Sequence, residues 1–384
     1  WNDWSNFKWQ FMSTIIRTRS PFFIRTADVT DATLSYFSLI LTVYNGNINE
    51  VPTCGGVAET TTLEKRVLPT ETSVTFEISE IINQYLVQTF TGSHSADLQS
   101  LWATTAVTAR KEDGTAIGAT TNTTFLAQEG FNFFKDGVNF TTEAEAMITT
   151  NHIQVKKGDA IKLPVNKERV NSVAFKSGSS TISTQTITDD GHSNQKIFYC
   201  TGANNTIDNI VVTYDTSSTR TITVEQIEEC KYSPFKCVFL NRWGAFQDLY
   251  FFKKSTSSLE STNESFNKSI FIPNKVTRAL NISDECVSSS TYNTYSTTDH
   301  AVKTYNTNAK ESIVLNTGFV KDDMNTSFQE LLVSEYVWLV DSSGTVLPST
   351  LKDSSFTTKT GLNDKMINYT MEFEMSFDYI NNVR

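Results

Sequence analysis

The sequence has few cysteines, and none of them stands at the spacing of a metal site. The five are too few and too scattered for a disulfide framework: Cys54, Cys200, Cys230, Cys237 and Cys286. Cys230 and Cys237 are too far apart for a CxxC zinc or redox motif. We therefore expect buried free thiols, with one incidental disulfide or a metal site as the alternatives.

Histidines and nucleophile motifs are equally sparse. The four histidines form no HxxxH or HxH pair, and we expect them in loops: His94, His152, His192 and His300. The sequence contains no GxSxG elbow, no glycine-rich phosphate loop and no metalloprotease helix. These absences predict that the chain is not an enzyme and uses no cofactor or metal.

Paired acids are present, but each pair has an ordinary structural explanation. Asp189-Asp190 and Asp322-Asp323 are typical of turns and helix caps, with a Ca²⁺ site as the alternative. Glu372 and Glu374 alternate with aromatic residues, which indicates a solvated strand face rather than a glycosidase pair. A hydrolase remains open only as a carboxylate pair assembled from distant loops.

Basic charge and long apolar runs are lacking as well. The net charge is -10, with no Lys/Arg-dense stretch that would indicate a nucleic-acid interface. The longest apolar stretches, such as Leu39–Leu41, have the size of a strand and not of a membrane span. We predict neither nucleic-acid binding nor membrane insertion. No signal peptide is visible, and because the chain begins at Trp1 we expect the native start upstream.

What the sequence has in abundance favours β structure. It contains 26 Phe, 13 Tyr and 6 Trp among many Thr, Ser and Asn residues, a composition suited to pleated sheets and polar turns. Tyr369, Met371, Phe373, Met375 and Phe377 alternate with polar residues, the period of a strand. The predicted fold class is therefore mainly β, a multi-domain chain of antiparallel β-sandwich-like modules with one or two short helices.

At 384 residues the chain is long enough for two or three domains. We predict an N-terminal β-sandwich-like domain over 1–142, a middle all-β module over 143–229 and a C-terminal β-rich domain over 230–384. The first domain should contain a helix within Glu77–Phe90, capped by Ser79. The third should contain a short helix capped by Asp322, with Met324, Phe328, Leu331 and Leu332 on one face.

Two further patterns bear on the third domain. Gly244 predicts a tight turn between the apolar strands Cys237–Leu240 and Leu249–Phe252, with Trp243 as a core anchor beside it. The stretch Thr256–Ser269 is almost entirely polar, and we expect it to form a loop or an exposed edge.

The N-terminal segment is unusually aromatic, and its candidate subunit-interface residues are Trp1, Trp4, Phe7 and Trp9. Phe7, Trp9 and Phe11 alternate with polar residues, so this part should pair as a strand with its own domain. We expect the Trp1 to Trp4 end to contact a neighbouring subunit, because exposed aromatic surface of this kind usually marks an interaction site.

Three groups of segments, taken in order, carry a resemblance: Leu126–Asn139; Lys231–Phe252; and Leu315–Val320 with Leu331–Trp338 and Lys359–Thr370. Together they resemble a family of tail-associated structural proteins of tailed bacteriophages that infect marine and flavobacterial hosts. The resemblance covers most of the chain in outline. It implies a role in the virion and a β-domain architecture, and it carries over no catalytic residue.

The expected function is that of a non-enzymatic structural component of a phage tail, such as a tail-tip, baseplate or fibre-attachment protein. Its expected partners are further copies in a symmetric homo-oligomer and other virion tail proteins. The alternatives are a tail module that binds a receptor or host-surface glycan, a secreted bacterial surface adhesin, and a virion hydrolase. In a glycan-binding module, Trp243 or Tyr292 could stack on sugar rings, although core or strand-pairing positions are the simpler interpretation of both.

Overall fold

A computed structural model describes residues 13–44, 46–47, 59–94, 99–141, 144–215, 217–268, 297–298, 300–353, 355–359 and 367–380. Strands account for 52% of the structure and helices for 6%, with several antiparallel sheets. The predicted mainly β fold class is confirmed. No helix among the described residues is long and apolar enough to cross a membrane.

The first region consists of a mixed sheet covered by a small second sheet. Its elements are β1 (Thr14–Arg17), β2 (Phe23–Arg25), β3 (Tyr36–Tyr44), β4 (Glu59–Arg66), β5 (Thr75–Glu77), α1 (Ser79–Asn83), β6 (Ser100–Arg110) and β7 (Ala116–Gln128). The five-stranded sheet has the order β1-β7-β6-β3-β4, and β2 pairs with β5. Leu39, Leu41 and Phe125 of the large sheet share one core with Phe76 and Ile82.

The helix predicted within Glu77–Phe90 is much shorter than expected, and its cap was wrong. It ends at Asn83, and Ser79 is its first residue, with Ile78 in the capping position. The carboxylate of Glu77 accepts the Ser79 N–H at 2.8 Å, so the acidic side chain two residues earlier satisfies that donor. Past the helix, Phe90 leaves the core of the first region and packs against the third.

The middle region is a sandwich of two antiparallel-rich sheets. Its strands are β8 (His152–Lys156), β9 (Ile161–Asn166), β10 (Val170–Ser177), β11 (Ser180–Thr186), β12 (Ile197–Gly202), β13 (Asn209–Tyr214) and β14 (Ser218–Ile227). The larger sheet has the order β11-β10-β13-β14-β8, and β9 pairs with β12. Phe175 and Val173 face Leu163 and Cys200 in the shared core. A Cβ atom on Gly202 would lie 2.5 Å from the Phe175 ring, so this contact requires glycine.

The third region is built on one seven-stranded sheet and a helix. Its elements are β15 (Phe235–Leu240), β16 (Phe246–Phe251), β17 (Thr256–Asn267), β18 (Val302–Val320), α2 (Asn325–Leu332), β19 (Val337–Val340), β20 (Val346–Leu351) and β21 (Ile367–Met375). The sheet order is β16-β15-β19-β20-β21-β18-β17. Met324, Phe328 and Leu331 cover one face of it, as their spacing predicts, whereas Leu332 is half-buried and lies outside this core. A 3-10 turn at Asp322–Met324 precedes α2, whose N-cap is Met324 rather than Asp322.

The other face of this sheet is covered by the rest of the protein along β15, β16 and β19. Phe246 and Trp338 pack against Phe90 of the first region and against Met147 and Tyr199 of the middle region. Tyr250 of β16 lies in the core of the middle sandwich, as does Phe252, which directly follows this strand. Apolar clusters therefore join the three regions, and the division into domains at 142 and 229 stays a prediction.

Candidate functional site

The predicted interface residues Trp1, Trp4, Phe7 and Trp9 lie outside the described residues, as does Tyr292. Trp243 is described, and it occupies an interior junction. Its ring lies 4.6 Å from the guanidinium carbon of Arg17 and 5.2 Å from that of Arg242. The side chain is half-buried and packs beside the cluster between the sheets, so its ring is not free to stack on a sugar.

The most exposed part of the described chain is a two-stranded extension of the third sheet. Thr256 to Asn267 pair with Val302 to Val314 as antiparallel neighbours, whereas β21 pairs with β18 only from Ser312 onward. Residues 259–267 and 302–311 therefore continue beyond the sheet as a ribbon, roughly 30 Å long at the usual rise per residue. We call this extension the ribbon.

Every residue of β17 is exposed, and its outer edge pairs with no strand among the described residues. The ribbon also carries solvent-facing apolar side chains: Leu259, Phe266, Val302 and Tyr305. Phe266 and Tyr305 lie together, with ring centroids 6.2 Å apart. For the described part of the stretch Thr256–Ser269, the exposed-edge alternative was therefore the right one.

Both the edge and the apolar side chains bear on assembly. An isolated two-stranded ribbon has little stability in water. A long open edge presents unpaired N–H and C=O groups that another strand can use. The ribbon is therefore a candidate assembly surface.

A second candidate site is a cleft of about 420 Å³ where the three regions meet. Its wall is formed by the β8–β9 connection, by β15 and β16, by the turn after β19 and by residues 92–94 of the first region. We call it the junction cleft. Its volume is that of a small-molecule site.

Three lysines from three different strands line the junction cleft: Lys156, Lys162 and Lys236. Lys162 donates a hydrogen bond to the Thr201 hydroxyl at 2.8 Å, a neutral partner. Lys156 lies 3.9 Å from a carboxylate oxygen of Asp159, and both side chains are about one-third exposed. Lys236 makes no ion pair with any part of the chain that is described. The cleft thus brings three ammonium groups together with the wall carboxylates of Asp159 and Asp341, above the buried Asp248.

The two carboxylates of the cleft wall are held by local hydrogen bonds. Asp341 accepts bonds from the backbone N–H groups of Ser343 and Thr345, at 2.8 and 2.9 Å. Bonds of the Ser343 and Thr345 side chains and backbone lower the pKa of Asp341, so it is ionised at neutral pH. Asp159 accepts a hydrogen bond from the Tyr250 hydroxyl at 3.1 Å.

A buried pair lies beneath the cleft. His94 Nε2 is 2.8 Å from a carboxylate oxygen of Asp248, and the two side chains are 2% and 9% exposed. Burial opposes ionisation of Asp248, but contact with His94 and the charges of Lys236 and Lys162 outweigh it and lower its pKa. The ionised carboxylate accepts a hydrogen bond from the N–H group at His94 Nε2, and this bond fixes the ring at the base of the cleft.

The prediction that the histidines lie in loops was wrong for His152 alone, although the side chain of the loop residue His94 is buried as well. His94 is buried against Asp248, and His152 is a buried residue of β8 whose Nε2 lies 3.1 Å from Glu225. His192 and His300 are exposed and lie outside strands, as expected. Among the described residues, no group of three or more histidines, cysteines and acids could hold a metal ion.

The remaining acidic candidates have structural partners. Asp189 pairs with Lys196 at 2.7 Å, and Asp190 accepts the backbone N–H groups of the following turn. Glu372 forms an ion pair with Lys352, which directly follows β20, and Glu374 pairs with Lys310 of β18; both contacts are partly exposed to solvent. Cys200 and Cys237 are buried free thiols as predicted, while Cys230 is a free thiol that is exposed. Cys54 and Cys286 lie outside the described residues.

The sequence did not predict the cleft, because the residues that line it are far apart in the chain and form no motif. The available signal was Asp248, an acid that directly precedes the apolar run from Leu249 to Phe252. A buried carboxylate requires a partner, but the sequence does not identify it as His94. No protein-family model matches the chain, and no curated protein has significant similarity to it.

Proposed function

We propose that this protein is a non-enzymatic structural component of a bacteriophage tail that assembles as a symmetric multimer with other tail proteins. The observation that carries the proposal is the ribbon, whose β17 strand is exposed along all of its length. The resemblance of three groups of segments to tail-associated proteins supports the same assignment. We thus propose that the protein is located in the virion and that its partners are other proteins.

The physical argument concerns what the ribbon gains from a neighbour. Each apolar side chain of the ribbon that becomes fully buried contributes on the order of 1.5–3 kcal/mol. Strand addition along β17 would also pair the N–H and C=O groups of its open edge. In a ring of identical subunits the same contact is repeated once per subunit, so one ribbon per chain suffices for closure.

The direct test removes residues 259–311, which comprise the ribbon and the segment between its two strands. Ser258 and Ser312 are opposite each other in β17 and β18, with their hydroxyl oxygens 2.8 Å apart. Residues 259–311 can therefore be replaced by a two-residue Asn-Gly turn. We expect the shortened protein to fold with an unchanged melting temperature but to be smaller in oligomeric state by light scattering.

A matched pair of edge variants sharpens the test. Ser261→Lys with Asn263→Lys places two charges on the open edge of β17, and this should prevent strand addition. Thr181→Lys with Ser183→Lys makes the same change on β11, an exposed edge strand of the middle sheet. Loss of the oligomer in the first variant alone supports the proposal. Equal behaviour of the two variants would exclude β17 as the contact.

The aromatic N-terminal segment provides a separate test of assembly. Deletion of residues 1–11 removes Trp1, Trp4, Phe7 and Trp9. If this segment is a connector, the truncated protein stays folded and loses its oligomer on light scattering. If the truncated protein oligomerises as before, the contact lies elsewhere, and the ribbon remains the candidate.

The virion location is tested on particles. Electron microscopy of purified phage particles should show symmetric copies of this chain in the tail, with the seven-stranded sheet and its ribbon recognisable in the density. Absence of the chain from purified particles would contradict the proposed location, whatever the oligomeric state of the isolated protein.

A further inference from the structure

We propose that the junction cleft binds an acidic sugar unit, with the lysines holding the carboxylate and the wall carboxylates and serine hydroxyls holding sugar hydroxyls. The inference concerns the body of the protein, and it holds whether or not the chain belongs to a tail. It rests on the charges and hydrogen-bonding groups that converge on one cavity.

The positive charge of the cleft is prearranged by the fold. Lys236 is opposite Tyr250 in β16 and Val340 in β19, so its side chain shares a row with two cleft-lining residues. Lys162 extends from β9 of the facing sheet and is oriented by Thr201. Because both lysines are half-buried, an anion between them is screened from salt less than on an open surface.

The cleft contains carboxylates as well as lysines, and this combination of charges indicates the class of ligand. Asp159 and Asp341 lie on the same wall, and a bare anion would be repelled by both. Ionised carboxylates accept hydrogen bonds from hydroxyl groups, and the Ser93 and Ser342 hydroxyls both donate and accept. A ligand with one carboxylate and several hydroxyls, such as a hexuronate, satisfies both sets of groups.

The base of the cleft supports the same geometry. Tyr250 is stacked on Phe252, with ring centroids 5.8 Å apart, and its hydroxyl is committed to Asp159. Lys162 is held by its hydrogen bond to the Thr201 hydroxyl at 2.8 Å, and the buried Asp248 lies close enough for the charges of Lys236 and Lys162 to lower its pKa. The cleft is thus rigid at its base and open to a ligand at its rim.

The test uses the full-length protein with three probes: methyl glucuronide, methyl glucoside and inorganic sulfate. Saturation-transfer NMR should detect binding of the glucuronide, with the glucoside and sulfate each at least tenfold weaker. Failure of the glucuronide to bind would overturn the proposal. Binding of sulfate as tightly as the glucuronide would reduce the cleft to a general anion site and overturn the assignment to sugars.

Variants locate the binding. Lys236→Met removes the charge but keeps the length of the side chain, and we expect it to raise the Kd of the glucuronide at least tenfold. Lys254→Met is the matched control on an exposed lysine outside the cleft, and it should leave the Kd unchanged. Equal affinities of the two variants would place the binding elsewhere.

A second variant covers the case in which Lys236→Met destabilises the protein. Ser342→Trp adds a large side chain at the exposed turn on the rim and alters no charge of the cleft. We expect it to abolish glucuronide binding with an unchanged melting temperature. Retained binding in a folded Ser342→Trp protein would contradict the proposal.

Discussion

Two parts of the protein differ in how far their polar side chains are exposed to water: the contacts among the three regions, and the ribbon. At the contacts, charged side chains are removed from water: Lys196 and Glu330 are both 0% exposed. In the ribbon, the β17 strand has no buried residue at all. Buried charges with specific partners therefore fix the body of the protein, whereas the contacts of the ribbon with the body are confined to its base, at Glu260, Ala309 and Lys310.

The difference matters because buried charges persist only with partners. Lys196 lies 2.7 Å from Asp189 and 3.5 Å from Glu168, and its ammonium is 5.6 Å from the Trp102 ring of the first region. Glu330 of α2 accepts hydrogen bonds from the Thr149 hydroxyl and from the Arg242 N–H. Such contacts specify one arrangement of the three regions, since a shift of a few ångströms would leave these charges buried and unpaired.

Removing the charge of Lys196 should produce the largest effect. Lys196→Met leaves the carboxylates of Asp189 and Glu168 without their cation at a buried site. We expect a loss of about 3–5 kcal/mol in the free energy of unfolding, measured by urea titration. Lys303→Met in the ribbon is the control, and it should change stability by less than about 0.5 kcal/mol. A small effect at Lys196 would mean that the buried ion pairs contribute little to the stability of the folded protein.

Trp243→Ala should have a somewhat smaller effect. The side chain is half-buried between two arginines, rather than fully buried as a core anchor would be. We expect a cost of roughly 2–3 kcal/mol from lost packing and lost cation–π contacts. Thermal unfolding monitored by circular dichroism measures it. A variant as stable as the wild type that no longer attaches to host cells would instead make Trp243 a binding residue.

Local patterns predicted the elements well where one face of a strand is buried. In β21 the alternation of Ile367, Tyr369, Met371, Phe373 and Met375 is the alternation of buried and exposed positions that the sheet requires. The hairpin between β19 and β20 follows from Ser342-Ser343-Gly344, with Gly344 at a positive φ of 86°. Phe377 lies beyond the strand and is 45% exposed, so the pattern extended one step too far.

Strands with two exposed faces and contacts between distant segments could not be predicted in this way. β11 and β17 are polar at most positions, and their few apolar residues follow no period of two that would distinguish a strand from a loop. The junction cleft depends on β8, β9, β15 and β19 meeting in space. The spacing of residues along the chain contains no information on that meeting, so Lys236 and His94 could not be assigned to one site.

Stability should also depend on pH through a buried acid between the first and third regions. Burial raises the pKa of Glu129 to about 7, and contacts with Gln88 and Arg19 only partly oppose this. A carboxyl with a raised pKa in the folded state stabilises the protein fully below its unfolded pKa, and this stabilisation is lost as the pH rises through about 7. We expect the free energy of unfolding to fall by up to about 3 kcal/mol between pH 4.5 and pH 8.

The variant Glu129→Gln separates this acid from the others. Burial also raises the pKa of Glu330, which adds a dependence of the same sign. Glu129→Gln should therefore reduce the slope of stability against pH and not remove it. Melting temperatures of both proteins at several pH values measure the two slopes. Identical slopes would show that Glu129 is already ionised, or already neutral, across this range.

Substitutions in the ribbon should have the smallest effect on stability. They also give the most direct test of the difference between the body of the protein and the ribbon. Phe266 is 47% exposed and Tyr305 is 65% exposed, so their replacement by serine removes little buried surface from the folded monomer. We expect Phe266→Ser with Tyr305→Ser to change the free energy of unfolding by less than about 0.5 kcal/mol. The same double variant should weaken assembly by several kilocalories per mole, since both rings become buried in the proposed contact. Sedimentation equilibrium of the double variant against wild type measures the second effect, and urea unfolding measures the first. A large loss of monomer stability would mean that the ribbon is already packed within its own chain, and the distinction between a fixed body and an unsatisfied ribbon would then be wrong.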